Sequence, residues 1–178
     1  MEIGGSEGTR WAGPAEVTGG ADQRASLAAK HIPPGASMIA LGAGARRLGA
    51  ALQPGGAYLP IDLVRFAEGG EVLDLNQGQL PERTVDVVAA LDLLQYIHDV
   101  PALLARCHAA APNLILRYPL AATEEKPEDR RAQGWFNAFY EETLSDMLKN
   151  AGWSVTAREP AAASMMFVCQ RAAGVTRT

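Results

Sequence analysis

An α/β protein with one mostly parallel sheet, closed by an antiparallel hairpin, is the fold class this sequence predicts, and three observations predict it. Residues 38–62 read M-I-A-L-G-A-G-A-R-R-L-G-A-A-L-Q-P-G-G-A-Y-L-P-I-D. A short apolar run breaks into Gly42 and Gly44, passes through a helical pattern, and returns to an apolar run ending in Asp62, ~20 residues beyond the first glycine, the order of a nucleotide-binding βαβ unit. Residues 85–91 are almost continuously apolar, as a strand covered on both faces of a parallel sheet must be. The last two apolar runs, 153–158 and 165–171, are joined by only six residues, 159–164. That is too few for a crossover helix, so the two strands must be antiparallel.

Each element follows from local pattern. A helix is predicted over 22–31, strand one over 37–41, and a helix over 44–52 with Leu48 and Leu52 on one face. Strand two covers 57–61. Strand three, 71–75, follows so closely that only a turn through Gly69 and Gly70 fits before it. After strand four, Asp99 is placed as an N-cap and Pro101 in the first helical turn, with Val100, Leu103, Leu104 and Cys107 spaced i, i+3, i+4, i+7. Strand five is 113–118. The polar stretch 122–133, with seven charged residues, reads as a mobile cover after a central strand, or as a solvated surface excursion with no task. A helix over 138–150 buries Leu144, Met147, Leu148 and Ala151 and stops at Gly152.

The 178 residues, 48% of them hydrophobic, suit one compact domain over 21–172, with 1–20 as a loose lead-in and 173–178 as a tail. A net charge of −4 without a basic stripe argues against nucleic acid and anionic membrane surfaces as partners. Cys107 and Cys169 are far apart and in no metal-like spacing, so neither a disulfide framework nor a metal site is expected. The start of the chain lacks the pattern of a signal peptide and no apolar run is long enough to span a bilayer, so a soluble, cytoplasmic protein is expected, its oligomeric state unassigned.

The ordered motifs across residues 22–171 resemble the class I S-adenosylmethionine-dependent methyltransferases. A-L-G-A-G-A-R-R-L is similar to the glycine-rich first motif of that family, Y-L-P-I-D-L to the second, V-L-D-L-N to the third, and T-V-D-V-V-A-A-L-D-L-L-Q-Y-I-H-D-V to the fourth-strand signature. I-L-R-Y-P and G-W-F-N are similar to segments of small bacterial methyltransferase-like proteins associated with surface-polysaccharide biosynthesis. The resemblance implies a Rossmann-like seven-stranded sheet with helices on both faces. It also implies a transferase that uses S-adenosylmethionine, without a metal, to methylate a small molecule or a sugar hydroxyl.

The resemblance assigns the cofactor to Gly42, Gly44, Asp62, Asp74, Leu75 and Leu91, with Asp62 as the ribose acid and Asp74 near the adenine edge. Residue chemistry leaves alternatives beside this. The glycines also suit strand–helix packing, and Asp62 and Asp74 also suit turns bonded to their own backbone. His98 is placed as a general base for an acceptor hydroxyl, since imidazole titrates near neutrality, or else as a surface residue. Arg117 and Tyr118 stand at the carboxyl end of a central strand, where open sheets take ligands, and serve either substrate or strand-end packing. Trp135 and Asn137 close the pocket, or Trp135 staples the next helix to the core.

Three departures from the family pattern define a second expectation. Ala40 stands where the family carries an acid, Arg46 where it carries a third glycine, and Gln95 where it commonly carries Glu. An Arg46 side chain directed into the cleft would weaken cofactor binding and leave a methyltransferase-like binding or scaffolding module. A nicotinamide-dependent oxidoreductase is disfavoured, because Arg47 occupies the last glycine position of G-x-G-x-x-G and the terminal hairpin does not suit it.

Overall fold

The computed structural model describes residues 19–44, 47–53, 55–65, 69–122, 125–161 and 163–172. The predicted lead-in and tail lie outside these residues, apart from Gly19 and Gly20, which belong to the first helix.

In chain order the elements are α1 (Gly19–Ala29), β1 (Met38–Leu41), α2 (Arg47–Ala51), β2 (Tyr58–Asp62), β3 (Glu71–Val72), β4 (Val87–Leu91), α3 (Val100–Ala110), β5 (Asn113–Tyr118), α4 (Pro127–Ala132), α5 (Glu141–Asn150), β6 (Trp153–Ala161) and β7 (Ser164–Arg171). Single 3-10 turns occupy Leu75–Gln77 and Leu94–Tyr96. The strands form one sheet in the order β3-β2-β1-β4-β5-β7-β6. β3, β2, β1, β4 and β5 are mutually parallel, and β7 runs antiparallel to both β5 and β6.

Alternation along the central strands builds two cores. Ile39 and Leu41 of β1, Val88 and Ala90 of β4, and Leu114 and Leu116 of β5 join Leu103, Leu104 and Cys107 of α3 and Leu144 and Leu148 of α5. Met38 and Ala40, Val87 and Ala89, and Ile115 face the other way, onto Ala25 and Ala28 of α1 and Leu48 of α2. Helices therefore cover both faces, which is why β1 and β4 are apolar at almost every position. Each fully buried leucine of this set stabilises the fold by roughly 1.5–3 kcal/mol.

The predicted start of α3 is observed: Asp99 accepts the Ala102 N–H at 2.9 Å, and Pro101 lies in the first turn. The first helix begins three residues early and ends two early. Other boundaries differ for local reasons. Strand three ends at Val72 rather than 75, because the Asp74 carboxylate accepts the Asn76 N–H and caps the 3-10 turn instead. Strand four begins at Val87, two residues late; Asp86 before it accepts both the backbone N–H (2.7 Å) and the hydroxyl (2.6 Å) of Ser37. The second helix is shorter than predicted because the left-handed backbone of Gly44, φ 49°, is not helical. The third long helix begins at Glu141, not 138.

Two segments predicted as irregular hold regular structure among their described residues. The hairpin link contracts, since β6 continues to Ala161 and pairs with Ser164 across a two-residue connection. Pro160 is tolerated there because β6 is the edge strand and its missing N–H breaks no inner ladder. Within the charged stretch, α4 forms with Pro127 in its first turn, Glu128 and Asp129 near its N-terminus and Arg130 and Arg131 near its C-terminus, the signs that complement a helix dipole.

Candidate functional site

Strand order reverses direction between β1 and β4, so the crevice at their carboxyl ends is where an open α/β sheet takes a ligand. Gly42 and Gly44 turn the chain there with φ of 63° and 49°. A Cβ at Gly42 would lie 3.0 Å from Leu93 Cδ1, whereas one at Gly44 would meet nothing within 4 Å, so open space lies over that residue. The turn is stitched to the end of β2: Gly44 N–H donates to Asp62 Oδ2 at 2.8 Å and Ala43 N–H to the Ile61 carbonyl at 3.1 Å. Asp62 Oδ1 accepts its neighbour's N–H, from Leu63, at 2.7 Å. Each carboxylate oxygen so engaged retains a second lone pair for an outside donor.

Next along this edge, Asp74 Oδ1 accepts the Asn76 N–H at 2.9 Å and Asp74 N–H donates to Gln79 Oε1 at 2.9 Å. Leu75 is buried in the α3-side core, and Leu91 is partly buried in the α1-side core. Asn76 ties this loop to the one after β4: its Nδ2 donates to the Tyr96 carbonyl at 3.0 Å and its Oδ1 accepts the His98 N–H at 2.9 Å. The His98 side chain is exposed, with its ring edge-on to that of Phe136 at 4.4 Å between centroids.

At the carboxyl ends of β4 and β5 stands a charged triad that sequence reading left out, Arg117 excepted. Asp92, with φ 55° the one non-glycine residue of positive φ among those described, accepts hydrogen bonds from Arg117 Nη1 and, at 2.6 Å, from Arg24 Nη1 of α1. Arg117 is 7% exposed, donates from Nη2 to the Ala161 carbonyl at 2.8 Å, and keeps its buried Nε without a partner. Burial lowers the guanidinium pKa, and the attraction of Asp92 opposes that shift. The only sequence signal for Asp92 is its place directly after an apolar strand. Nothing in the sequence pairs it with Arg24.

The other predicted substrate residues are engaged within the protein. Tyr118 is fully buried and its hydroxyl accepts the Phe139 N–H at 3.2 Å. Asn137 Nδ2 donates to the carbonyls of Leu94 and Ile97, both at 2.7 Å, and Trp135 Nε1 donates to the Tyr96 hydroxyl at 3.0 Å. Phe136 N–H donates to the Gln95 carbonyl at 2.7 Å, while the buried Gln95 Oε1 has no partner. These bonds fasten residues 134–139 onto the 3-10 turn after β4. Arg130, only 3% exposed, clamps the same strap: Nε donates to Glu125 at 2.7 Å, Nη1 to the Asn137 carbonyl at 3.1 Å and Nη2 to the Pro119 carbonyl at 3.0 Å, beneath the Trp135 ring. Residues 127–132 of the segment expected as a mobile cover thus form a helix, and Arg130 fastens it to the strap that follows.

Arg46 lies outside the described residues. Ala40 is buried in the α1-side core and supplies no acid. Among the described residues no group of three or more His, Cys, Asp or Glu is arranged to hold a metal ion, and no helix is long and apolar enough to cross a membrane.

No protein-family model matches this sequence, and no curated protein matches it. Solved structures do match its fold. The Burkholderia thailandensis 1,6-didemethyltoxoflavin-N1-methyltransferase, with 1,6-didemethyltoxoflavin and S-adenosylhomocysteine bound, superposes with a TM-score of 0.70 at 17% identity over 86% of this chain and 79% of that one. Magnesium protoporphyrin IX methyltransferase from Synechocystis PCC 6803, with S-adenosylmethionine bound, gives 0.67 at 19% identity over 94% and 92%. The N-terminal domain of EvdMO1, crystallised in the presence of S-adenosylhomocysteine and D-fucose, gives 0.60 at 20% identity over 88% and 84%. This chain therefore has the fold of the class I S-adenosylmethionine-dependent methyltransferases.

Proposed function

We propose that this protein binds S-adenosylmethionine at the β1–β4 crevice and directs its methyl group to an oxygen nucleophile of a small molecule, with a sugar hydroxyl of surface-polysaccharide biosynthesis as the favoured acceptor. The observation that carries the reading is the stitched turn: Gly44 opens space beside Asp62, whose carboxylate is held by two backbone N–H groups with acceptor capacity left over for a ribose diol. The cofactor, when bound, supplies an activated methyl group, so the protein's own task is alignment and exclusion of water.

In this reading Asp62 accepts the ribose hydroxyls, Gly42 and Gly44 admit the ligand against the backbone, and Leu75 and Leu91 give apolar walls. The Asp74 carboxylate serves its own turn, leaving that loop's position as its contribution. His98, exposed beside Phe136, receives the acceptor's proton. Tyr118, Trp135 and Asn137 act through the strap they fasten, and Arg117 is the residue of that set left to face an acceptor. The sugar assignment rests on the resemblance of I-L-R-Y-P and G-W-F-N, and is in keeping with D-fucose in one structural neighbour's crystallisation.

Calorimetric titration with S-adenosylhomocysteine tests the reading first, followed by transfer of labelled methyl groups to a panel of small hydroxyl compounds. Ala40 favours the second reading, a methyltransferase-like module that binds cofactor weakly, because a buried alanine offers no charge to the cofactor's ammonium. No heat and no thermal shift at millimolar ligand would decide for that module.

A further inference from the structure

The proposed methyl transfer uses neither Arg24 nor Asp92, and the charges they bring together with Arg117 do not balance among the described residues. Among the described residues, the only carboxylate that either guanidinium touches is that of Asp92. Among these residues two cations therefore share one anion; solvent screens Arg24, 38% exposed, while Arg117 is buried, and an added anion would find donors on both. Glu159, the nearest acid along the β5–β7–β6 register, is two strands over and lies at ion-pair distance, 2.9 Å, from His31 instead.

The triad stands at the carboxyl ends of β4 and β5, the edge of the sheet that also carries the glycine turn, on the side covered by α1, where Arg117 pairs in register with the buried Met166. The strained left-handed backbone at Asp92 is the kind held in place at functional sites. Arg117 is buried with an unpartnered Nε, and Arg24 is 38% exposed at its side chain, with Nη1 its one engaged nitrogen among the described residues. Each can still donate to an incoming oxyanion, and guanidinium groups bind such anions with paired, planar geometry.

We propose that Arg24 and Arg117, bridged by Asp92, receive a carboxylate of the methyl acceptor, so that the substrate is an acidic small molecule such as a sugar acid. This rests on the methyl-transfer reading for the word acceptor, though not for the anion site itself. Asp92 follows β4 directly, so the cofactor's own carboxylate is the competing anion, and the test below separates it from that of an acceptor.

The test uses the full chain saturated with S-adenosylhomocysteine, with benzoate and glucuronate as probes followed by calorimetry and by arginine side-chain NMR, at ionic strength fixed with sodium chloride. At least one probe should bind saturably, Arg24→Gln should weaken it by about tenfold, the scale of one charged hydrogen bond, and Arg24→Lys should restore most of the affinity. Neutral benzamide and glucose should bind no better to wild type than to Arg24→Gln. Absence of saturable carboxylate binding, or equal binding by the Gln variant, overturns the proposal. So does an Arg24→Gln variant that loses S-adenosylhomocysteine affinity while keeping that for 5′-methylthioadenosine, since the cation would then serve the cofactor. If the wild type binds carboxylates but no S-adenosylhomocysteine, the anion site stands and the methyl-transfer reading falls.

Discussion

Replacing Arg130 with methionine keeps most of an aliphatic stem while deleting the charge that clamps the strap. The structure sets the scale. Three hydrogen bonds from a guanidinium vanish, to Glu125, to the Asn137 carbonyl and to the Pro119 carbonyl, and each bond to a charged group is worth roughly 1.5–3 kcal/mol. The sum is a ceiling, since Glu125 keeps 23% of its side chain in solvent and rehydrates once released, so a loss of about 2–4 kcal/mol is expected. That loss falls on a unit able to open by itself, because the amides of Gln133, Gly134 and Trp135 bond to carbonyls of Arg130 and Arg131, and that of Phe136 to Gln95. Native-state hydrogen exchange reads it directly: protection of these four amides should fall by about 30-fold to 1,000-fold in Arg130→Met, with α3 amides changed far less. Full exchange of the four amides at unprotected rates in the wild type would refute the clamp and restore the mobile cover that composition suggests. Identical protection in wild type and variant would show that the guanidinium does not hold the strap.

Asp62→Ala should weaken S-adenosylhomocysteine binding by about 1–3 kcal/mol and lower stability by about 1 kcal/mol, as the Gly44 and Leu63 amides lose their acceptor; wild-type affinity by calorimetry would exclude Asp62 as the ribose acid. His98→Ala should reduce kcat by about 100-fold with the cofactor Kd unchanged, and an unaltered kcat would place the proton acceptor elsewhere. Burial pushes the thiols of Cys107 and Cys169 from 9.0 up to about 12. The folded state thus holds these protons more tightly than the unfolded chain, so their stabilisation is complete below pH 9 and declines as pH rises from 9 toward 12. Urea midpoints that stay level across that interval, or rapid labelling of either thiol in the folded protein near pH 8, would contradict their burial.

Much of the fold was legible because it depends on periodicity and chain length. The apolar runs of β1, β2, β4 and β5, the Asp99 cap with Pro101 behind it, and a link too short for a crossover are local facts, and the observed elements follow them closely. Legibility failed where a side chain changed the backbone's alternatives. Asp74 turned the end of strand three into a capped turn, and the charge pattern of 127–132 supported a helix whose stability comes from the distant carbonyls around Arg130.

For the site, the sequence alone determined the glycine turn and the acid that follows it, because the spacing of a βαβ unit brings Gly44 and Asp62 together whatever the rest of the chain does. Tertiary structure alone decided what the polar residues around that turn do. Tyr118, Trp135 and Asn137 became fasteners because the strap after α4 packs across the turn after β4. Arg24 and Arg117 came to share Asp92 because α1 crosses the sheet beside strands β4 and β5, joining residues 68 and 25 positions apart. Contacts of such separation arise from packing, and no local pattern in a single sequence encodes them.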